Sequence, residues 1–466
     1  MLPLHHAAVH PSIVQQDCAQ LRYSKNLSRS CLPTFFTLTR QFFMRLLHTS
    51  DWHLGQTLHN HDRTYEHQCF LDWLADTLAE EQIDVLLIAG DIFDTANPSS
   101  SAQRQLYRFL QQARTRVPHL QVVVIAGNHD SPGRLEAPTP LLEAHGTIVV
   151  GNVLRRGDGE IDLERLLVPL RDRDGNTAAW CLAVPFLRPG DLPRLRAAEG
   201  SEPAEDSVRD PYMHGTALLY RQAHALARER AAEGQAIVAM GHCHMAKGQA
   251  SEDSERRIVI GGSEALPVSM FDAGIAYAAL GHLHLAQRVG GLEHVRYCGS
   301  PLPLSFSEVG YQHQVLRIDL DGGKAAAITP LYVPRPVQLL RVPATPAPLE
   351  EALAALEALE LDPELPQQAW PYLEVRVLLD GPEPGLRARI EAVLAGKPVR
   401  LAKIEPTRKL VAASSEAEAL SLDQLAQLQP DDIFRRLWRQ KYGDEAPPEQ
   451  IASFAELFHA VEGDAP

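Results

Sequence analysis

The stretch Val122-Val-Val-Ile-Ala-Gly-Asn-His-Asp130 constrains this chain more than any other. An apolar run without polar alternation describes a strand covered on both faces, and in parallel sheets built of such strands ligands gather beyond the carboxyl ends. The run stops at Gly127 and releases Asn128, His129 and Asp130 at that end. The pattern recurs in His48-Thr-Ser-Asp-Trp-His53, Leu87-Ile-Ala-Gly-Asp91, Val238-Ala-Met-Gly-His242 and Ala279-Leu-Gly-His-Leu-His284, so five strand ends each present Asp, Asn or His.

Spacing turns these positions into chemistry. Asp51 and His53 are two apart, as are His282 and His284, and on a strand or its extended exit that spacing sends both side chains to one face. Asp91 follows Gly90 and Asn128 follows Gly127, where the absent Cβ permits close approach of a bound group. Taken singly, each has an ordinary explanation: a histidine after a glycine is usually a turn histidine, and Asp91 alone would pass for a turn or helix-capping carboxylate. Five strand ends agreeing is much harder to produce by chance. A set of carboxylate, imidazole and amide oxygen suits Mn(II), Fe(II) or Zn(II), whereas an all-oxygen set would suit Mg(II) or Ca(II). Asp51, His53, Asp91, Asn128, His242, His282 and His284 are too many ligands for one ion and suffice for two with one carboxylate shared. Such a pair, about 3.5–4 Å apart, clamps phosphate and lowers the pKa of a bridging water. Cys243 reads as a packed thiol beside the site, His244 has no assigned role, and His59, His61 and His67 read as solvated helix or loop histidines.

A chain of 466 residues exceeds a single core and predicts two or three domains. Residues 1–43, with Asp17 as their only acid, read as a disordered or misannotated leader, although the composition also allows an organellar transit peptide; Met44 is a natural start. From there strand and helix alternate, with helices over 66–81 and from an Asn97-Pro98 cap to about Arg116. A long helix near 209–233 follows, then the strand at 236–240, and after the loop Met245–Arg257 come strands at 258–260, 276–280, 286–289, 294–298, 313–320 and 325–332. The fold class expected is α/β, two stacked mixed β-sheets flanked by helices, over 44–335. Pro334, Pro336, Pro343, Pro346 and Pro348 mark a linker, and a small α+β module occupies 336–410. A polar stretch, Ala412–Ala419, opens the segment 411–466. There Ile433, Phe434, Leu437 and Trp438, then Ile451, Phe454, Ala455 and Phe458, give two closing helices apolar faces with little chain left to cover them.

A net charge of −15 argues against a protein that coats nucleic acid through a basic face, but bound cations and local basic patches can still meet phosphate. Arg104, Arg108, Arg134, Lys247, Arg256 and Arg257 are candidate phosphate contacts, although solvated charge is the commoner role of isolated surface basics. The six cysteines form no C-x-x-C pair, so a reducing cytoplasm is expected. No apolar run approaches the roughly 20 residues of a membrane span, and no membrane partner is expected.

The order D-x-H, G-D, G-N-H-D, G-H and G-H-x-H, carried by Asp51/His53, Gly90-Asp91, Gly127–Asp130, Gly241-His242 and Gly281–His284, resembles the calcineurin-like metallophosphoesterases. More narrowly, His48–Gln56, Gly90–Thr95 and Val295-Arg-Tyr-Cys-Gly-Ser-Pro-Leu-Pro-Leu-Ser-Phe306 resemble the SbcD family of bacterial nuclease subunits, over about residues 44–460. The resemblance implies one divalent ion, with Mn(II) preferred, on Asp51, His53 and His284, and a second on Asn128, His242 and His282, with Asp91 bridging. It implies that His129 stands over the phosphate and stabilises or protonates the leaving oxygen, oriented by Asp130 or a backbone group. Some relatives carry a histidine where this chain has Asp94, which puts a second-histidine role there in doubt. The implied activity is cleavage of DNA phosphodiesters, exonucleolytic at duplex ends and endonucleolytic at hairpins, in repair, recombination and replication. The implied partners are DNA, a second copy docked through about 64–80 and 98–115, and an SbcC-like ATPase that receives the C-terminal helices, giving a heterotetramer in the cytoplasm near the nucleoid. The module at 336–410 matches the family's capping domain. A phosphoprotein phosphatase or cyclic-nucleotide phosphodiesterase would share every ligand but has no need of that module or the closing helices. A catalytically dead scaffold would not keep every ligand position filled.

Overall fold

The computed structural model describes residues 43–193, 210–251, 265–408, 434–435, 437–439, 443–447, 449–451 and 453–454. Residues 1–42 of the expected leader, the expected strand at 258–260, Arg256, Arg257, the polar stretch 412–419 and much of the closing helices lie outside these residues, whereas Phe43, the leader's last residue, already belongs to the first strand. In chain order the elements are β1 (Phe43–Thr49), β2 (Thr57–Leu58), β3 (His61–Asp62), α1 (Thr64–Glu80), β4 (Val85–Ala89), α2 (Ser100–Arg116), β5 (Gln121–Ile125), α3 (Pro132–Glu136), α4 (Thr139–Glu143) and β6 (Thr147–Val150). There follow β7 (Leu167–Arg171), β8 (Thr177–Ala183), α5 (Pro211–Arg230), β9 (Ala236–His242), β10 (Tyr277–Gly281), β11 (Gln287–Val289), β12 (Leu292–Tyr297), β13 (Gln314–Asp321) and β14 (Lys324–Tyr332). The last are β15 (Leu339–Pro348), α6 (Leu349–Glu357), β16 (Tyr372–Leu379), α7 (Leu386–Leu394) and β17 (Arg400–Arg408).

Two six-stranded mixed sheets result, ordered β14-β13-β1-β4-β5-β6 and β11-β12-β10-β9-β8-β7. The apolar runs follow from their position between two cores. Val85, Leu87 and Ala89 of β4, with Val123 and Ile125 of β5, share one core with Ala179, Val238, Met240 and Leu280 of the other sheet. The alternate residues Leu86, Ile88, Val122 and Val124 pack with Phe70, Leu74, Phe109 and Leu110 of α1 and α2. With a side-chain period of two, a strand that serves two cores has no polar face. Parallel pairing of β1, β4, β5 and β6, and of β8, β9 and β10, sets the motif-bearing carboxyl ends side by side.

Three local expectations are corrected. The cap of α2 is Ser99, whose hydroxyl accepts from Ala102 N at 3.2 Å, rather than Asn97, because the serines after Pro98 supply a better placed acceptor. The proline-rich stretch is not a bare linker: Pro343, Pro346 and Pro348 lie inside β15. That is an edge strand in the sheet β15-β16-β17, where a missing N–H can face away from the ladder. His67 is fully buried within α1 instead of solvated, whereas His59 is exposed and the half-buried His61 packs against Tyr372.

The chain divides into two compact units, one holding residues up to Val342 with Leu359–Val375 and Leu394–Ile404, the other Pro343–Ala358, Arg376–Val393 and residues from Glu405 onward. In the second, the two apolar segments partly cover each other: the rings of Phe434 and Phe454 stack at 4.5 Å, while Leu437 is exposed.

His48 joins the two sheets at the motif end. Its Nε2–H donates to the Leu280 carbonyl at 3.2 Å, and Nδ1 accepts from the Tyr277 hydroxyl at 2.8 Å. Burial drives this imidazole down to about 3 despite the carbonyl, so below the ordinary value of about 6.5 the unfolded chain takes up a proton that the folded chain refuses. Stability present above that pH is lost as pH falls toward 3, by up to about 1.4 kcal/mol per pH unit. Urea unfolding in chelator at pH 7 and 5.5 should show His48→Asn with a smaller loss than the parent; equal losses would contradict this role.

Candidate metal centre

Each functional side chain sits at the last residue of a strand or in the few residues beyond it, and the backbone there is tightly specified. Asp51 N donates to Gly90 O at 3.0 Å, His53 N to Asp91 O at 3.0 Å and Leu54 N to Ile92 O at 2.9 Å, so the exits of β1 and β4 continue side by side past the sheet. Asp51, His53, Asp91 and His282 all have positive φ, from 46° to 108°, a conformation that costs non-glycine residues of order 1–3 kcal/mol and persists where surroundings enforce it. A Cβ on Gly127 would run into Asp91 Oδ1, one on Gly90 into His242 Nδ1 and one on Gly281 into the Ala89 carbonyl. The glycines before the candidate ligands are what allow four chain segments to meet.

Asp91 stands at the middle. Its Oδ2 lies 3.3 Å from His242 Nε2 and 3.7 Å from His53 Nε2, and Oδ1 accepts from His129 N at 2.8 Å. On one side, ligand atoms of Asp51, His53 and His284 lie within 4.8 Å of one another, as do those of Asp51, Asp91 and His242. On the other, Asn128 Oδ1 lies 3.0 Å from His242 Nε2 and 3.1 Å from His282 Nδ1. All seven residues expected from the sequence therefore converge, and Asp91 falls between the two groups. Asp51 also accepts from His282 N at 3.0 Å and from Ser50 Oγ at 2.5 Å, tying the exits of β1 and β10 together.

His129 is half-buried, with Nδ1 donating to the Asp94 carbonyl at 2.8 Å. Of the two orienting groups expected, the backbone one is found. Asp130 instead accepts from Gly127 N, Phe93 N and Ile92 N at 2.9, 3.0 and 3.2 Å, binding the exits of β4 and β5 to each other. Two supporting residues escape the sequence reading: Asp94 Oδ1 lies 3.2 Å from His53 Nδ1, and the buried Glu308 accepts from His284 Nδ1 at 2.9 Å. Glu308 arrives on a 3-10 turn, Phe306–Glu308, and an acid in such a stretch carries no sign of burial. The Cys243 thiol packs 3.7 Å from Met245 Sδ and is pushed up to about 12 by burial, an inert neighbour. His244 is half-buried, its ring 6.2 Å from that of His282.

The electrostatics ask for positive charge at this place. Burial pushes the Asp91 carboxyl up, but the imidazoles of His242, His53 and His129 outweigh it and hold it well below the usual range. Burial also raises Asp51 and, with Asp91 close by, lifts Asp130 to about 6. His242 is pulled down by burial and more than restored by Asp91, to about 9, whereas burial and His242 together send His282 to about 3. Among the described residues His53 Nε2 is buried with no hydrogen-bond partner, an arrangement that costs about 1–3 kcal/mol unless something accepts its lone pair. Carboxylate, imidazole and amide oxygen in this geometry fit borderline divalent cations.

Residues 44–286 match the calcineurin-like phosphoesterase family and residues 334–442 the type 5 capsule protein repressor C-terminal domain. The chain is 46% identical to the SbcD subunit of the SbcCD nuclease of Rhodobacter capsulatus over 80% of its own length and 90% of that protein's. It is 33% identical to the SbcD subunit of Escherichia coli K12 over 90% and 99%, and 35% identical to that of Bacillus subtilis 168 over 72% and 79%. The chain thus belongs to the SbcD family of nuclease subunits, within the calcineurin-like phosphoesterases.

Proposed function

We propose that this chain, a metal-dependent nuclease and hydrolase of phosphodiester bonds, cleaves DNA exonucleolytically at duplex ends and endonucleolytically at hairpins. In this reading Asp51, His53 and His284 hold one divalent cation, Asn128, His242 and His282 a second, and Asp91 is shared. The observation that carries it is the place of Asp91 Oδ2, within 3.7 Å of imidazoles from both groups. Two cations so held lower the pKa of water and offset phosphate charge. The mixed donor set favours Mn(II).

The protein's own residues do the rest. The Asp94 carbonyl fixes His129 by its Nδ1–H, which leaves Nε2 to carry a proton to the leaving oxygen. Asp130 keeps the Asn128–His129 segment against the exit of β4 through its three backbone bonds, so the proton donor keeps its distance from the cation ligands.

The relatives are named as one subunit of a nuclease called SbcCD, which supports an SbcC-like ATPase partner that gates access. The exposed Leu437, beside the Phe434–Phe454 stack, supports docking through the C-terminal segment. For a homodimer the support is the outer side of α2, where Arg104, Tyr107, Arg108 and Gln111 line a surface groove of about 480 Å³. We place the complex in the cytoplasm with the nucleoid, in repair, recombination and replication of DNA; among the described residues no helix is long and apolar enough to cross a membrane.

Full-length protein with Mn(II) should degrade linear duplex DNA, and turnover confined to small phosphoesters would sink the reading. His129→Ala should lower the cleavage rate by about 10²–10⁴ with its metal content intact, whereas Asp91→Ala should lose metal and cleavage together; undiminished cleavage in either reassigns the residue. Gly127→Ala, which forces a methyl onto Asp91, should destabilise the fold by about 1–3 kcal/mol in denaturant titrations and reduce metal uptake.

A further inference from the structure

The two groups of candidate ligands are supported by different chemistry. What one nitrogen of an imidazole is bonded to sets the aim and electron density of the other, and a carboxylate does this more strongly than a carbonyl. In the Asp51–His53–His284 group both imidazoles have a carboxylate behind them: Glu308 Oε1 at 2.9 Å from His284 Nδ1, and Asp94 Oδ1 at 3.2 Å from His53 Nδ1. In the Asn128–His242–His282 group, His242 Nδ1 donates to the neutral Ala89 carbonyl at 2.8 Å, while His282 Nδ1 faces its fellow candidate ligand Asn128 Oδ1 at 3.1 Å.

Glu308 is built in rather than draped over the site. It is fully buried, and its second oxygen accepts from Leu304 N at 2.8 Å and Ser300 Oγ at 3.5 Å. Ser300 N in turn donates to His284 O at 3.1 Å, which closes a ring through residues 284, 300 and 308. A buried carboxylate is costly unless donors and opposite charge replace its water, and the His284 imidazole, 2.9 Å away, is part of that replacement.

Building on the two-cation reading above, we propose that Glu308 is a positioning residue that, with Asp94, makes the Asp51–His53–His284 group the tighter of two unequal cation sites. That site fills first. The other, supported by dipoles, fills only at higher metal concentration, so the second ion rather than the first sets the metal dependence of cleavage.

Full-length protein stripped with chelator and titrated with manganese(II) chloride, free ion being read by its electron paramagnetic resonance signal, should show two classes of site. Glu308→Gln keeps shape and acceptor but removes the charge; it should weaken the tight class roughly 10–100-fold and leave the weak class in place, with Glu308→Asp recovering part of the loss. Asp94→Asn, at a part-exposed position, should weaken the same class and serves if the Glu308 variants fail to fold. Two equal classes in the parent protein, or variants that weaken both classes alike or neither, overturn this proposal and leave the two-cation reading standing. Uptake of a single ion overturns both.

Discussion

A carboxylate buried between two sets of imidazoles is the constraint on which this molecule turns. Asp91 is almost wholly removed from water, and removal of a charge from water is tolerated only where opposite charge or donors replace the solvent. His242 and His53 supply part of that replacement, and the backbone N–H of His129 another. Burial, and behind it the like charge of Asp91, raises Asp51 and Asp130. Asp91 in turn more than offsets the burial of His242 and holds its proton up to about 9, so acid and imidazole at this centre set each other's charge.

The frame that keeps Asp91 there is legible in the sequence because its cause is periodic. A strand covered on both faces must be apolar on both, so β4, β5, β9 and β10 appear as uninterrupted runs, and a glycine marks the point where each chain leaves the sheet. Five runs ending alike point to the seven converging residues without any knowledge of how the sheets stack. The helix α1 carries a signal of the same kind for His67, which shares the stripe of Phe70, Leu71, Leu74 and Leu78. That spacing puts it in the core, where it is found, although its polarity suggests solvent.

What is illegible lies where no period operates. Glu308 reaches His284 across 24 residues of chain by a 3-10 turn, and Asp94 contributes once through its side chain and once through its carbonyl, the second of which no side-chain pattern can announce. The prolines of β15 point to a linker by composition and to an edge strand only once the sheet order is known. Composition records what a residue prefers alone; a strand's place in a sheet decides whether that preference is enforced.

Strain in the centre has the same origin as its rigidity. Positive φ at Asp51, His53, Asp91 and His282 stores energy that would relax if any exit could move, and the exits cannot move singly. β1 and β4 are joined past the sheet by the bonds of Asp51, His53 and Leu54, β4 and β5 by Asp130, and β1 and β10 by Asp51 with His282 and by His48 with Leu280. Shifting one ligand by an ångström means breaking bonds to two neighbours and disturbing packed cores on both faces of its sheet, which densely packed interiors resist. The positions of the candidate ligands are therefore set when the sheets pack, and in the reading proposed above control over cleavage has to act on what reaches the strand ends rather than on their arrangement.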